Sequence, residues 1–264
     1  MKKEAGKVDL FGYRKMLDQS NFQEGFLSGD VTLVNWPQND YWLGPIIEID
    51  QKEVDKHLHY AKELSKSLLY WLQTEADGPG YPNLKPRGAV MGTEDGFAMR
   101  PYIRESRRIV PEFKVLESHI GADMRDTERA EVFFDSIGVG HYHLDLHPST
   151  GQRTYVDMES YPFQIPMGAL IPIRTKNLIA ACNNIGTSHI TNGTYRLHPV
   201  EWNIGESAAL MAVYSLDKSL SLKDIRNNSS SLSDFQDFIK KQGIQIEWPE
   251  HILKERESYF SKED

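Results

Sequence analysis

The clearest pattern of apolar and polar positions begins at Asp50. Val54, Leu58, Ala61, Leu64, Leu68 and Leu72 recur at the spacing of one helical face, Asp50 with Glu53 resembles a capping arrangement, and Asp77-Gly78-Pro79-Gly80 ends the run. A long amphipathic helix follows from this, with His57 and His59 flanking the stripe in solvent. Upstream, Val31 to Asn35 is β-branched enough for a short strand, and Trp36 to Asp40 is turn chemistry. Between Gly88 and Pro172 the signals are mainly extended, at Phe97 to Ile103, Val132 to Asp135, Ile137 to Leu146 and Gln164 to Ile173. At Asn177 the character changes. Leu178 to Cys182 has the unbroken apolar run of a buried strand, a polar loop runs on to His198, and a helix opened by Pro199 continues through Ala208, Ala209 and Ala212, as in the second half of a βα unit. The Ser and Asn cluster Asn227 to Ser231 suits a loop, and a helix from Ser233 to Gln242, closed by Gly243, precedes Ile244 to Trp248.

Composition narrows the class. The chain has 264 residues, 39% of them hydrophobic and 26% charged, which fits a folded chain with a sizeable core of one or two domains. Thirty basic against 38 acidic side chains give a net charge of −8, which argues against nucleic acid as the main partner because phosphate binding needs a surplus of Lys and Arg. No apolar run approaches the roughly 18 residues of a membrane span, and Met1 to Leu10 is charged with no apolar stretch behind it, so no membrane partner or secretion signal is indicated. The lone Cys182 excludes an internal disulfide and any multi-cysteine metal site within one chain. The compartment stays open.

Three stretches could carry chemistry. In His141-Tyr142-His143-Leu144-Asp145-Leu146-His147 the period of a strand puts His141, His143, Asp145 and His147 on one face. Residues two apart on a strand lie roughly 6.5 Å from each other, so at best two of the four reach one metal ion. That face suits either a cavity lining for a substrate or part of a metal site. Arg100 to Arg108 holds four arginines in nine residues, suited to a carboxylate or phosphate or to solvated ion pairs. Glu105 is available to orient one of them. The third stretch, Asn177 to Tyr214, offers Asn183, Asn184, Thr187, Ser188, His189, Thr194 and Arg196 beside a helix start whose amides favour an anion or carbonyl oxygen. The glycine-rich nucleotide fingerprints, the nucleophile elbow, HExxH and CxxC are all absent.

Together the stretches Val34-Asn35-Trp36-Pro37, Arg104 to Ile109, Asp135-Ser136-Ile137 with His141 to His147, Ile165 to Leu170, Asn177 to Ala180, and Arg196 onward through Gly205 resemble the FAD-dependent oxidoreductases with a glutathione-reductase-type flavin fold, specifically their C-terminal portion. The resemblance implies an α+β / α/β architecture: residues 1–165 as a strand-rich, substrate-facing α+β domain and 166–264 as the C-terminal part of an FAD-binding domain. It implies FAD as cofactor and hydride transfer between the flavin and a small or carbohydrate-like substrate. Because the family's N-terminal βαβ unit with its glycines has no counterpart here, it also implies a missing FAD-binding segment or subunit as partner. Asn183, Ile185, Gly186, Pro199, Asn203 and Gly205 would contact the cofactor. Arg104 and Arg196 would hold a polar or anionic group, and His143 or His189 would transfer a proton, His189 and Arg196 being similar to the substrate-side pair of fumarate-reductase-type flavoproteins. Without the missing segment, the helix face bearing Ile204, Leu210 and Met211 should be left uncovered and promote association, which is compatible with a homo-oligomer. Two other classes compete: a metal-dependent hydrolase using His141 and His143, and a non-catalytic ligand-binding remnant.

Overall fold

The computed structural model describes residues 10–104, 107–127, 129–151 and 155–254. These fall into two compact units, 10–102 with 149–151 and the described residues of 103–148 and 153–254. The first unit holds α1 (Leu10–Tyr13), the antiparallel pair β1 (Lys15–Leu17) and β2 (Val31–Thr32), the long helix α2 (Gln51–Thr74) and α3 (Gly88–Met91). The expected helix is present, and its cap is Asp50, whose carboxylate accepts from the amide of Lys52. Of its apolar stripe only Leu72 is fully buried, in a small core with Leu10 and Ala76 against which Val34, Trp36, Leu68, Tyr81 and Leu84 pack. His57 is half-buried and hydrogen-bonds Tyr41 Oη through Nδ1 at 2.9 Å, so it is not a solvated flank. Phe97 lies in a turn rather than a strand: its amide donates to Asp95 and its carbonyl accepts from Thr93 Oγ1.

The second unit carries the larger core. In chain order it contains α4 (Glu117–Ile120), β3 (Ser136–Gly140), β4 (Leu144–Leu146), β5 (Val156–Met158), β6 (Phe163–Pro166), α5 (His189–Tyr195), α6 (His198–Lys218), α7 (Leu222–Asn227), α8 (Ser229–Lys241) and α9 (Glu250–Lys254). The protein is thus mixed helix and sheet, of α+β type, with small two-stranded sheets among the described residues. Strand β3 pairs antiparallel with β6, and β4 with β5. The expected continuous extended run from Ile137 to Leu146 is therefore two strands with different partners. Ile137, Leu144, Phe163, Ile165, Ile204, Met211, Ile225, Phe235 and Ile239 are fully buried in one cluster, each worth about 1.5–3 kcal/mol of burial.

Helix α6 lies directly on β3. A side chain at Gly138 would collide with Asn203 Oδ1, and Ser207 Oγ donates to Ile137 O at 2.6 Å. Only a glycine admits the helix this closely. That contact, with α8 on the same side of the core, is why Ile204 and Met211 are buried, contrary to the expectation of an uncovered face; the exposed large apolar side chains of α6 are Trp202, Val213 and Leu216.

Three further expectations are corrected. Leu178 to Cys182 is not a strand: Leu178 is exposed, and Ala180, whose amide donates to Leu170 O at 3.0 Å, is the buried residue of the run. The loop to His198 contains α5, capped by Ser188 Oγ on the amide of Thr191. The Ser and Asn loop shrinks to Asn228, whose side chain caps α8 at the amide of Ser231. At the C-terminal end, Ile244 and Ile246 are buried, Ile246 O accepts from Ser136 Oγ (2.6 Å) and Gln164 Nε2 (3.1 Å), and Trp248 Nε1 donates to Phe163 O (3.0 Å).

Asp135 and Arg226 form a buried ion pair that ties the start of β3 to α7. Arg226 Nε donates to Asp135 Oδ2 at 2.5 Å, and the amide of Gly168 donates to the same oxygen at 2.9 Å. Removing one partner strands the other charge in the core. Asp135→Ala should therefore lower unfolding free energy by about 3–5 kcal/mol, measured by chemical denaturation followed by far-UV circular dichroism; a loss no greater than that of an exposed Asp→Ala control would contradict the role given to the pair.

Candidate functional site

In the β4 and β5 pair, Leu144 and Leu146 turn into the core and are almost fully buried. The alternation of a strand then sends Asp145 to the other face, where it stands in register with Asp157 of β5. Two carboxylates directly opposite each other repel unless each is compensated, and each has a histidine. His147 Nε2 lies 3.3 Å from both oxygens of Asp145. His143 Nδ1 hydrogen-bonds Asp157 Oδ1. Tyr155 links the pairs: its hydroxyl donates to Asp157 Oδ2 at 3.4 Å, and its ring meets His147 edge-on at 5.9 Å. The Tyr142 ring lies 4.1 Å from that of His143. Of the expected face of His141, His143, Asp145 and His147, β4 itself covers only Leu144 to Leu146; His147 pairs with Asp145 and His143 with Asp157 across the strands, and His141 takes no part in these pairs.

Arg196 holds this face in place. It caps the C-terminus of α5, is 8% exposed, and donates from Nη1 to Arg104 O at 2.9 Å and from Nη2 to Asp145 O at 2.7 Å. One guanidinium so joins the chain before Ile109, the middle of β4 and the junction of α5 with α6. Helix α5 crosses β4 at Gly193, where a Cβ would stand 2.5 Å from Asp145 O, and Thr194 Oγ1 donates to Tyr142 O. The electrostatics follow from this packing. Burial works to raise the Asp145 carboxyl, but the His147 hydrogen bond and the charge of Arg196 outweigh it and hold the group below its ordinary 3.8. Burial, with Asp145 and Asp157 nearby, pushes the Tyr155 phenol up to about 12. Tyr155 therefore keeps its proton at neutral pH.

The remaining expected residues lie on the loop after Ala181 and at the start of α6. Asn183 is half-buried, Ile185 is fully buried, and Gly186 lies against Pro111, its amide donating to Ala169 O at 2.8 Å. Pro199 is exposed in the first turn of α6, whose N-cap, Leu197, supplies no side-chain hydrogen bond. Asn203 donates to Val139 O at 3.4 Å while its buried Oδ1 has no partner, and a Cβ at Gly205 would stand 3.3 Å from Ala181 O. His189 opens α5, one helix length, about 10 Å, from Arg196. Cys182 donates to Glu201 Oε1 at 3.3 Å, and burial pushes its thiol up, which makes it a poor nucleophile. Of the arginine cluster, Arg100 belongs to the first unit and Arg104, Arg107 and Arg108 to the second, while Glu105 and Ser106 lie outside the described residues.

Asp157 and Tyr155 were not singled out in the sequence. The signal was Tyr155-Val156-Asp157-Met158, a short alternation that puts the phenol and the carboxylate on one face. Among the described residues no group of three or more His, Cys, Asp or Glu side chains is placed to hold a metal ion, so nothing favours the hydrolase alternative.

Two His–Asp pairs and a neutral phenol on one strand pair can hold and move protons and bind polar groups. A sequence model of the FAD-dependent oxidoreductase family matches residues 2–239. The chain belongs to that family, and its cofactor is FAD. No curated protein and no solved structure matches the chain significantly.

The depressed Asp145 carboxyl has a pH signature. Its contribution is fully present above the unfolded value of 3.8 and is lost as pH falls through the lower folded value. Asp145→Asn should cost about 1–2 kcal/mol of stability at pH 7, with the gap from wild type closing below pH 4 in denaturant titrations; a gap that persists unchanged at pH 3 would show that charge is not its source.

Proposed function

We propose that this chain is the substrate-facing and flavin-closing portion of an FAD-dependent oxidoreductase, exchanging a hydride between the flavin and a small or carbohydrate-like substrate. In this reading residues 1–165 serve the substrate side, 166–264 close the flavin domain, and a dinucleotide-binding segment or subunit supplies the glycines that hold the FAD pyrophosphate, for which this sequence has no fingerprint. The observation that carries the reading is the polar face of β4 and β5, where His143 and Tyr155 both hydrogen-bond Asp157, His147 pairs with Asp145, and Arg196 holds the backbone of β4.

The residues fit the cofactor at the start of α6. Its first-turn amides have no side-chain cap and can donate to a flavin ring carbonyl, where the helix dipole also favours negative charge. Asn183, Ile185 and Gly186 on the preceding loop, with Pro199, Asn203 and Gly205 on the helix, would hold the ring. Bound FAD supplies the redox equivalents. His143, whose Nδ1 is hydrogen-bonded to Asp157, would hold or move a proton at Nε2. Tyr155, protonated at neutral pH, can donate to a substrate oxygen. Arg196 positions these groups through the backbone of Arg104 and Asp145, while Arg104, with His189 at the start of α5, serves a polar or anionic end of the substrate.

Flavin content tests this. The chain alone should retain little FAD, and co-expression with a family dinucleotide-binding segment should give a stoichiometric yellow complex, read at 450 nm; full flavin occupancy of the chain alone would refute the need for a completing segment. In the complex, His143→Gln should slow substrate-dependent flavin reduction by about 10²–10⁴-fold with FAD still bound, and an unchanged rate would remove His143 from the mechanism.

A further inference from the structure

Two His–Asp pairs lie side by side on β4 and β5, and they are not equivalent. His147 is the more buried, its side chain 8% exposed, and its carboxylate partner Asp145 sits within the field of Arg196. His143 is more accessible, its side chain 19% exposed, and its partner Asp157 lies on the opposite strand, 29% exposed. Both oxygens of Asp157 are in use, Oδ1 by His143 Nδ1 and Oδ2 by the Tyr155 hydroxyl. A carboxylate held from two sides and anchored on a paired strand has little freedom to rotate, and one that accepts from Nδ1 fixes which ring nitrogen carries the proton in a neutral imidazole.

We propose that Asp157 is the positioning residue of this site: it holds His143 as the Nδ1–H tautomer, which makes Nε2 the acceptor nitrogen of the ring, while Tyr155 hydrogen-bonds the other carboxylate oxygen. This rests on the reading of His143 as the proton-transfer group and adds the residue that orients it. The buried pair of His147 and Asp145 then has a different task, balancing the charge of Arg196. The geometry separates the two aspartates, although they face each other in register: replacing Asp145 acts on stability, and replacing Asp157 acts on the tautomer.

The tautomer can be read without substrate or cofactor. In the full chain labelled with 15N-histidine, long-range 1H–15N correlation spectra at pH 9, where ordinary imidazoles are neutral, distinguish Nδ1–H from Nε2–H rings. The pattern missing from His143→Gln identifies His143. It should be Nδ1–H in the wild type, the reverse of the form an isolated imidazole prefers in water. In Asp157→Asn, whose carboxamide offers no charge, it should shift to Nε2–H or to a mixture; Asp145→Asn should leave it unchanged. A wild-type His143 that is mainly Nε2–H overturns the proposal, and so does an Nδ1–H pattern that survives Asp157→Asn. Should that variant fail to fold, the wild-type spectrum decides alone. If the tautomer result stands while His143→Gln retains full flavin reduction in the completed enzyme, the proton-transfer reading fails and the positioning of His143 by Asp157 does not.

Discussion

Arg196 is the constraint on which the polar face of the second unit depends. A buried guanidinium is tolerated when its protons are satisfied and its charge is balanced. Here two main-chain carbonyls accept from its terminal nitrogens and the Asp145 carboxylate lies close enough to feel its charge. Hydrogen bonds from a charged donor are worth about 1.5–3 kcal/mol each, so the two together rival a large buried side chain. Because they fall on backbone, they fix where strands and helices lie and leave the neighbouring side chains available.

The rest of the site follows from that placement. With the carbonyl of Asp145 held, β4 cannot slide against α5, and the glycine at position 193 keeps the two in contact. The register of β4 with β5 then sets Asp157 opposite Asp145, and each carboxylate is compensated by an imidazole. Anionic, neutral and cationic groups are thereby packed within one strand pair, each with a defined partner.

How much of this could be read in advance differs by element. Helix α2 was legible because twenty-four residues of regular spacing carry a cap and a stop. The shared face of His143, Asp145 and His147 was legible because the residues alternate strictly there. Helix α5 was not: His-Ile-Thr-Asn-Gly-Thr-Tyr is rich in β-branched, Asn and Gly residues with poor helix propensity, and it is helical because Ser188 caps it and β4 supports it. Leu178 to Cys182 reads as a buried strand, yet burial of a strand requires neighbours, and the run meets Leu170 through the amide of Ala180 alone and turns back on itself where Cys182 O accepts from the amide of Ile185. Of the site, the sequence pointed to His143, Arg104 and Arg196, whereas Asp157 lies fourteen residues from His143 and meets it only once the hairpin has formed. Function assigned from local patterns misses such partners because pairing across strands is not local.

The segment from Ile244 to Trp248 separates ancestry from mechanics. The family match ends at residue 239, but the chain beyond it plugs two isoleucines into the core and is stitched to Ser136, Phe163 and Gln164. Those three residues belong to the strand pair that supports α6. This segment therefore acts as a keystone: what inheritance leaves outside the shared region, folding treats as interior, and a boundary drawn by kinship would open the very layer on which the helix rests.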